Sequence, residues 1–233
     1  MSYKDLNYNE LIQLIQTISD SDELSNILEE LKEYPLNEQL KSLYNSYIEH
    51  DDSLVRCIAF ESLAKAENPD KKIAQKAIEH LNDEDIVATS CVELLAEYRH
   101  IPAISSIKNL LGNSSAGVRC VAAEALGDME CQELISNIIK ANEMEKDDLA
   151  KVGQAYGIYM LGNTDDKNQA VKHLIELLYS ENVTASYRAM NNLINILNDK
   201  NQTIIYKGFQ DRLKESSSSA FELDLEDRIR GFF

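Results

Sequence analysis

Apolar residues return along this chain with the spacing of helices, and one of them also returns with the spacing of a repeat. Leu31, Leu63, Leu95, Leu126, Leu161, Leu193 and Leu225 lie roughly 32 residues apart, inside the ~20–50-residue window that marks stacked supersecondary units. Between them the pattern is amphipathic at helical period: Leu11, Ile12, Leu14, Ile15 and Ile18, then Leu24, Ile27, Leu28 and Leu31, predict a first pair of helices. Further pairs are predicted at about 36–49 and 53–65, 70–81 and 84–98, 101–111 and 115–127, 131–142 and 147–161, and 167–179 and 184–198. A terminal unit begins at about 201–214 and is interrupted by Ser216–Ser219; beyond the serines a short helix is expected rather than a strand or a frayed tail. Asp and Ser side chains at Asp51-Asp52-Ser53 can accept hydrogen bonds from the open amides of a helix start. The longest connection, Asn142 to Asp148, reads as an insertion.

Helices of about 12 residues are marginal alone in water, so stability must come from packing one pair on the next. The expected architecture is all-α: a single domain over 1–233, with residues 1–35 as a capping pair, 36–198 as repeats and 199–233 as a C-terminal cap.

Two stretches show the unit most clearly. Val55-Arg56, Ala59 and Leu63 match Val118-Arg119, Ala122 and Leu126. On these residues the chain resembles the HEAT repeat, in the short bacterial variety called the phycobilisome-lyase type. The other units keep only the apolar frame. The resemblance implies a right-handed α-solenoid of about six to seven antiparallel helix pairs, with the Val-Arg helix on the concave side. It implies a binding scaffold more often than an enzyme, and it names no partner.

Composition agrees with helix: 233 residues are 44% hydrophobic, with only 3 Pro and 8 Gly. No apolar run approaches the ~20 residues needed to cross a bilayer, and Met1–Asp5 lacks a hydrophobic signal core, so a cytoplasmic protein is expected. Charge changes the picture more. Asp and Glu total 40 against 23 Lys and Arg, a net charge of -17, which repels nucleic acid and anionic membranes and favours a basic protein as partner.

Two residues before the first six phase leucines stand Glu29, Glu61, Glu93, Glu124, Tyr159 and Asn191. In register these glutamates would form a stripe, with Glu97 and Asp128 one turn on and Tyr156 among the aromatic residues that follow. The candidate partner-binding set is therefore Glu61, Glu93, Glu97, Glu124, Asp128, Tyr156, Tyr159 and Asn191. Solvated, helix-favouring glutamates explain the same row without a partner. Arg56 and Arg119 are expected to pair internally, with Asp52, Asp83 or Asp85.

Catalytic and metal chemistry has no motif here. The histidines are dispersed, no glycine-rich phosphate loop or nucleophile elbow occurs, and Cys57, Cys91, Cys120 and Cys131 lack metal-ligand spacing and read as small buried residues. No metal or cofactor is expected. The expected function is a non-enzymatic scaffold, monomeric apart from its partner, whose acidic face neutralises a basic protein. Size, charge and repeat architecture resemble immunity proteins that block a cognate bacterial toxin of nuclease type. The alternatives are a general HEAT-repeat adaptor or assembly factor, or a lyase-like enzyme of the same repeat family.

Overall fold

The computed structural model of the chain describes residues 3–215 and 220–232. Among them are fourteen α-helices and no strand, and the helices group into two compact units, Met1–Ile107 and Lys108–Phe233. The division falls within what the sequence reads as one run of repeats.

The N-terminal unit contains α1 (Tyr8–Ile15), α2 (Ser21–Leu31), α3 (Glu38–Tyr47), α4 (Ser53–Ala64), α5 (Lys71–Glu79) and α6 (Asp85–Glu97). Short polar side chains start most of them. Asn7 and Glu10 form a reciprocal capping box on α1, and Asp20, Asn37, Asp52 and Asp70 each accept a backbone amide at the next helix start, which satisfies donors that no helix bonds internally. The even helices pack side by side, α2 on α4 and α4 on α6, and each odd helix packs on its even partner. The result is two layers of hairpins around Leu28, Leu31, Phe60, Leu63, Leu94 and Leu95, all fully buried.

The C-terminal unit follows the same plan. Pro102 and the preceding left-handed Arg99 (φ 44°) break the helix expected at 101–111 into a 3-10 turn at Ile101–Ala103, α7 (Ile104–Asn109) and a second 3-10 turn at Leu110–Gly112, and the unit border lies inside α7. Then come α8 (Ala116–Asp128), α9 (Ile135–Met144), α10 (Asp148–Leu161), α11 (Thr164–Leu177), α12 (Val183–Asn195), α13 (Gln202–Glu215) and α14 (Ala220–Phe232). The helix α9 runs on to Met144, so the insertion shrinks to Glu145–Asp147. The helix expected beyond the serines is α14, while Ser216–Ser219 lie outside the described residues.

Arg212 fastens α14. Its guanidinium stacks over Tyr179 and Phe221 at 5.3 and 5.2 Å, donates to the Leu178 carbonyl at 3.0 Å and pairs with buried Glu222 at 2.8 Å. This hub joins α11, α13 and α14 through contacts that each favour a planar, delocalised cation.

Every phase leucine, Leu31 through Leu225, is 2% exposed or less, so the repeat read from the sequence is the register of the core. The four cysteines are buried free thiols.

Two glycines mark the crossing of α8 and α10. A Cβ on Gly153 would stand 2.2 Å from the Cys120 carbonyl oxygen, and one on Gly157 would stand 2.6 Å from that of Ala123. The helices α8 and α10 therefore meet backbone against backbone, an approach only glycine permits.

Candidate functional site

In the N-terminal unit the even layer turns one face away from the odd layer. That face carries Asp22, Asn26 and Glu29 on α2, Leu54, Cys57 and Glu61 on α4, and Ile86, Thr89, Glu93 and Glu97 on α6, residues spaced three or four apart along each helix and so aligned on one side of it. Lys32 bridges the first two helices, its Nζ lying 2.7 Å from Glu61 Oε2 and 3.1 Å from Glu29 Oε2. Burial pushes the Lys32 ammonium down, and the hydrogen bonds to Glu61 and Glu29 outweigh it and raise its pKa. Two further contacts tie α4 to α6. Ser53 Oγ donates to Glu84 Oε2 at 2.8 Å, and Cys57 Sγ lies 3.1 Å from Ser90 Oγ. Burial pushes the Cys57 thiol up to about 11, so it is no thiolate at neutral pH. Glu93 and Glu97 are exposed. So are two large aliphatic side chains, Leu54 at 46% and Ile86 at 42%.

The C-terminal unit treats the same positions differently. Glu124, expected on the stripe, is only 9% exposed. Arg188 of α12 grips both its oxygens, with Nε 3.0 and 3.1 Å from Oε1 and Oε2 and Nη2 closing a second bond, while Asn192 Nδ2 donates to Oε1 at 2.7 Å. The pair skips a repeat: the partner of α8 is on α12, and the glycine crossing of α10 is what lets α12 come within reach. Glu124 is thus an internal acceptor, a correction to its place in the expected partner surface.

The neighbouring candidates are also bonded inward. Tyr156 is buried and donates to Asp128 at 2.7 Å; burial, then that hydrogen bond, raises its pKa. Tyr159 donates to the Ile196 carbonyl and accepts from Asn198 at 2.8 Å and Asn201 at 3.1 Å, closing the end of α12. Asp128 and Asn191 are exposed. Sequence reasoning missed Arg188, Asn192, Lys32, Leu54 and Ile86. The signal for the first two was Gly153 with Gly157, four apart on a helix that should otherwise carry larger residues.

The two Val-Arg arginines do pair internally, each by one device. Arg56 forks onto Asp83 at 2.9 and 2.7 Å and donates to the His50 and Asp51 carbonyls. Arg119 forks onto Glu145 at 2.8 and 2.9 Å and donates to the Asn113 and Ser114 carbonyls. Glu145, in the longer connection, was not among the expected partners. Burial pushes both carboxyls up, but the arginine hydrogen bonds prevail, helped by His80 at Asp83 and by backbone amides at Glu145, and hold each at about 2. Each fork staples one hairpin turn to the next with bidentate geometry. Among the described residues no group of three His, Cys, Asp or Glu is placed to hold a metal ion, and no helix is long and apolar enough to cross a membrane.

A scan against protein-family models and a search of curated proteins find no match. Among solved structures the fold matches the complex of CpcE and CpcF of phycocyanin lyase from Nostoc sp. PCC7120, with a TM-score of 0.66 and 14% identity, covering 98% of this chain and 96% of that one. At this identity the likeness speaks for fold: the chain is a HEAT-like α-solenoid. It also corrects the expectation of a non-enzymatic protein, because a stack of this kind, over nearly the whole chain, belongs to a lyase complex.

Proposed function

We propose that the chain is a HEAT-type docking subunit that engages a basic protein through the open even-layer face of its N-terminal unit, as part of a lyase-type assembly. One observation carries the docking reading. The N-terminal unit holds 21 Asp and Glu against 9 Lys and Arg, so it carries -12 of the -17 net charge, and its even-layer glutamates Glu61, Glu93 and Glu97 reach the surface. Such a field concentrates a cationic partner and speeds its association by ~10 to 10³-fold at low salt. The neighbour of matching fold is itself a complex of two proteins, which favours work in partnership. Nothing in the comparisons favours a nuclease toxin, or an immunity role, over another basic partner.

The test is titration of the purified chain with the basic proteins encoded beside its gene, at low and high salt, for the wild type and for Glu61→Lys/Glu93→Lys/Glu97→Lys. Binding that weakens steeply with salt and by at least about tenfold in the triple variant supports the reading. Tight binding indifferent to both contradicts it. Lyase chemistry is a second reading, favoured by the fold match; phycocyanin offered as substrate, with its visible spectrum followed with and without the chain, tests it.

A further inference from the structure

We propose that the open face of α4 and α6 is a groove for one amphipathic helix of the partner, with aliphatic side chains along one flank and Lys or Arg along the other. The inference rests on the docking reading above and adds the form of the docked segment.

Two parallel ledges define the groove. Leu54 and Ile86 each occupy the second position of their helix, and Glu61 and Glu93 each follow seven residues later. Seven residues are two helical turns, ~10 Å along the axis, close to the ~10–12 Å width of an α-helix with its side chains. Between the ledges lie smaller side chains, two of them, Cys57 and Ser90, buried. They are Cys57, Ser90 and Thr89, with the Cys57 thiol and the Ser90 hydroxyl in contact at 3.1 Å. The serine-to-glutamate bond between the two helix starts, Ser53 to Glu84, keeps Leu54 and Ile86 on adjacent helices in register.

A helix lying across α4 and α6 would therefore meet apolar surface on one side and carboxylates on the other. Leu54 and Ile86 stand at equivalent places on adjacent helices and present apolar surface that a partner would take out of water. Charge selects the partner: the unit's -12 excludes an acidic segment and matches a cationic one. Helix-in-groove docking of this kind is read as apolar anchors at helical spacing.

The experiment uses the full chain and two fluorescent probes: a synthetic amphipathic Leu/Lys peptide of about five helical turns, and an oligolysine of equal charge. Anisotropy titration should show the amphipathic peptide bound at least about tenfold more tightly. Leu54→Ser/Ile86→Ser, with its fold checked by circular dichroism, should erase that advantage and leave the salt dependence of both probes unchanged. Glu61→Lys/Glu93→Lys should weaken both probes. Equal affinity for the two probes, or an advantage that survives the Leu54/Ile86 change, overturns the groove while leaving electrostatic docking in place. Probes that bind without regard to salt and to the glutamate reversal overturn the docking reading itself.

Discussion

The two units use the same hairpin, the same buried leucine and, at the position two residues before it, the same glutamate, yet they treat that glutamate in opposite ways. In the N-terminal unit α4 and α6 meet through Cys57 and Ser90, and the glutamates beyond stay at the surface, where Glu61 shares Lys32 with Glu29. In the C-terminal unit α8 and α10 meet at Gly153 and Gly157, and Glu124 is enclosed by Arg188 and Asn192. The difference lies in the residues at the helix crossing rather than in the glutamate. A repeated charge marks a surface only where the packing beneath it keeps the helices far enough apart for water to reach it.

The comparison breaks most severely at the crossing. Gly153→Ala should cost at least about 3 kcal/mol in urea unfolding, because its Cβ meets backbone that cannot rotate away. Gly117→Ala is the control: the nearest atom to its added Cβ is Ser115 Oγ at 3.7 Å, and the chain should be unchanged or more stable by about 0.5 kcal/mol. Next is the enclosed glutamate. Glu124→Ala removes the carboxylate that the Arg188 guanidinium and the Asn192 amide bond; since Arg188 keeps 33% of its side chain in water, the loss should be about 2–3 kcal/mol, below that of a wholly buried pair. Glu97→Ala, on the open face, should stay within about 0.5 kcal/mol.

Acid should act on both units alike. Asp83 and Glu145 titrate at about 2 in the folded chain, against roughly 4 when unfolded. Their contribution is therefore complete above about pH 5 and is lost as pH falls toward 2, on the order of 1–2 kcal/mol for each fork. Asp83→Asn and Glu145→Gln should each flatten the melting temperature between pH 5 and 2 and lower it at pH 7. Small gains should come from two turns of one design. Arg99 and Glu130 hold φ of 44° and 58° at equivalent places after α6 and α8, where His100 and Cys131 bond back to Leu95 and Leu126. Arg99→Gly and Glu130→Gly should each gain about 0.5–1 kcal/mol by relieving a left-handed residue with a side chain.

Most of the fold was legible because the leucine period and the core register are one and the same. Most helix limits follow from Asp and Asn caps that the chain displays in plain order. The site was legible only in part. Arg56 and Asp83 lie in adjoining turns, which is where a repeat argument looks, whereas Arg119 takes a glutamate from a connection of altered length. The Arg188–Glu124 contact spans 64 residues and skips the intervening helix, so nearest-neighbour reasoning along a repeat passes over it. The left-handed turns gave no glycine to announce them. Exposure of Leu54 and Ile86 depends on what the first turn of each even helix packs against, and apolar spacing alone would place them in the core.

Carbodiimide footprinting of the native chain measures the contrast between the units directly, since the reagent modifies carboxylates that water reaches. Glu93 and Glu97 should be labelled at least about tenfold faster than Glu124, with Glu124 reaching their rate only in the unfolded chain. Native-state labelling of Glu124 as fast as that of Glu97 would mean that the C-terminal unit is as open as the N-terminal one, and the assignment of docking to one unit would fall.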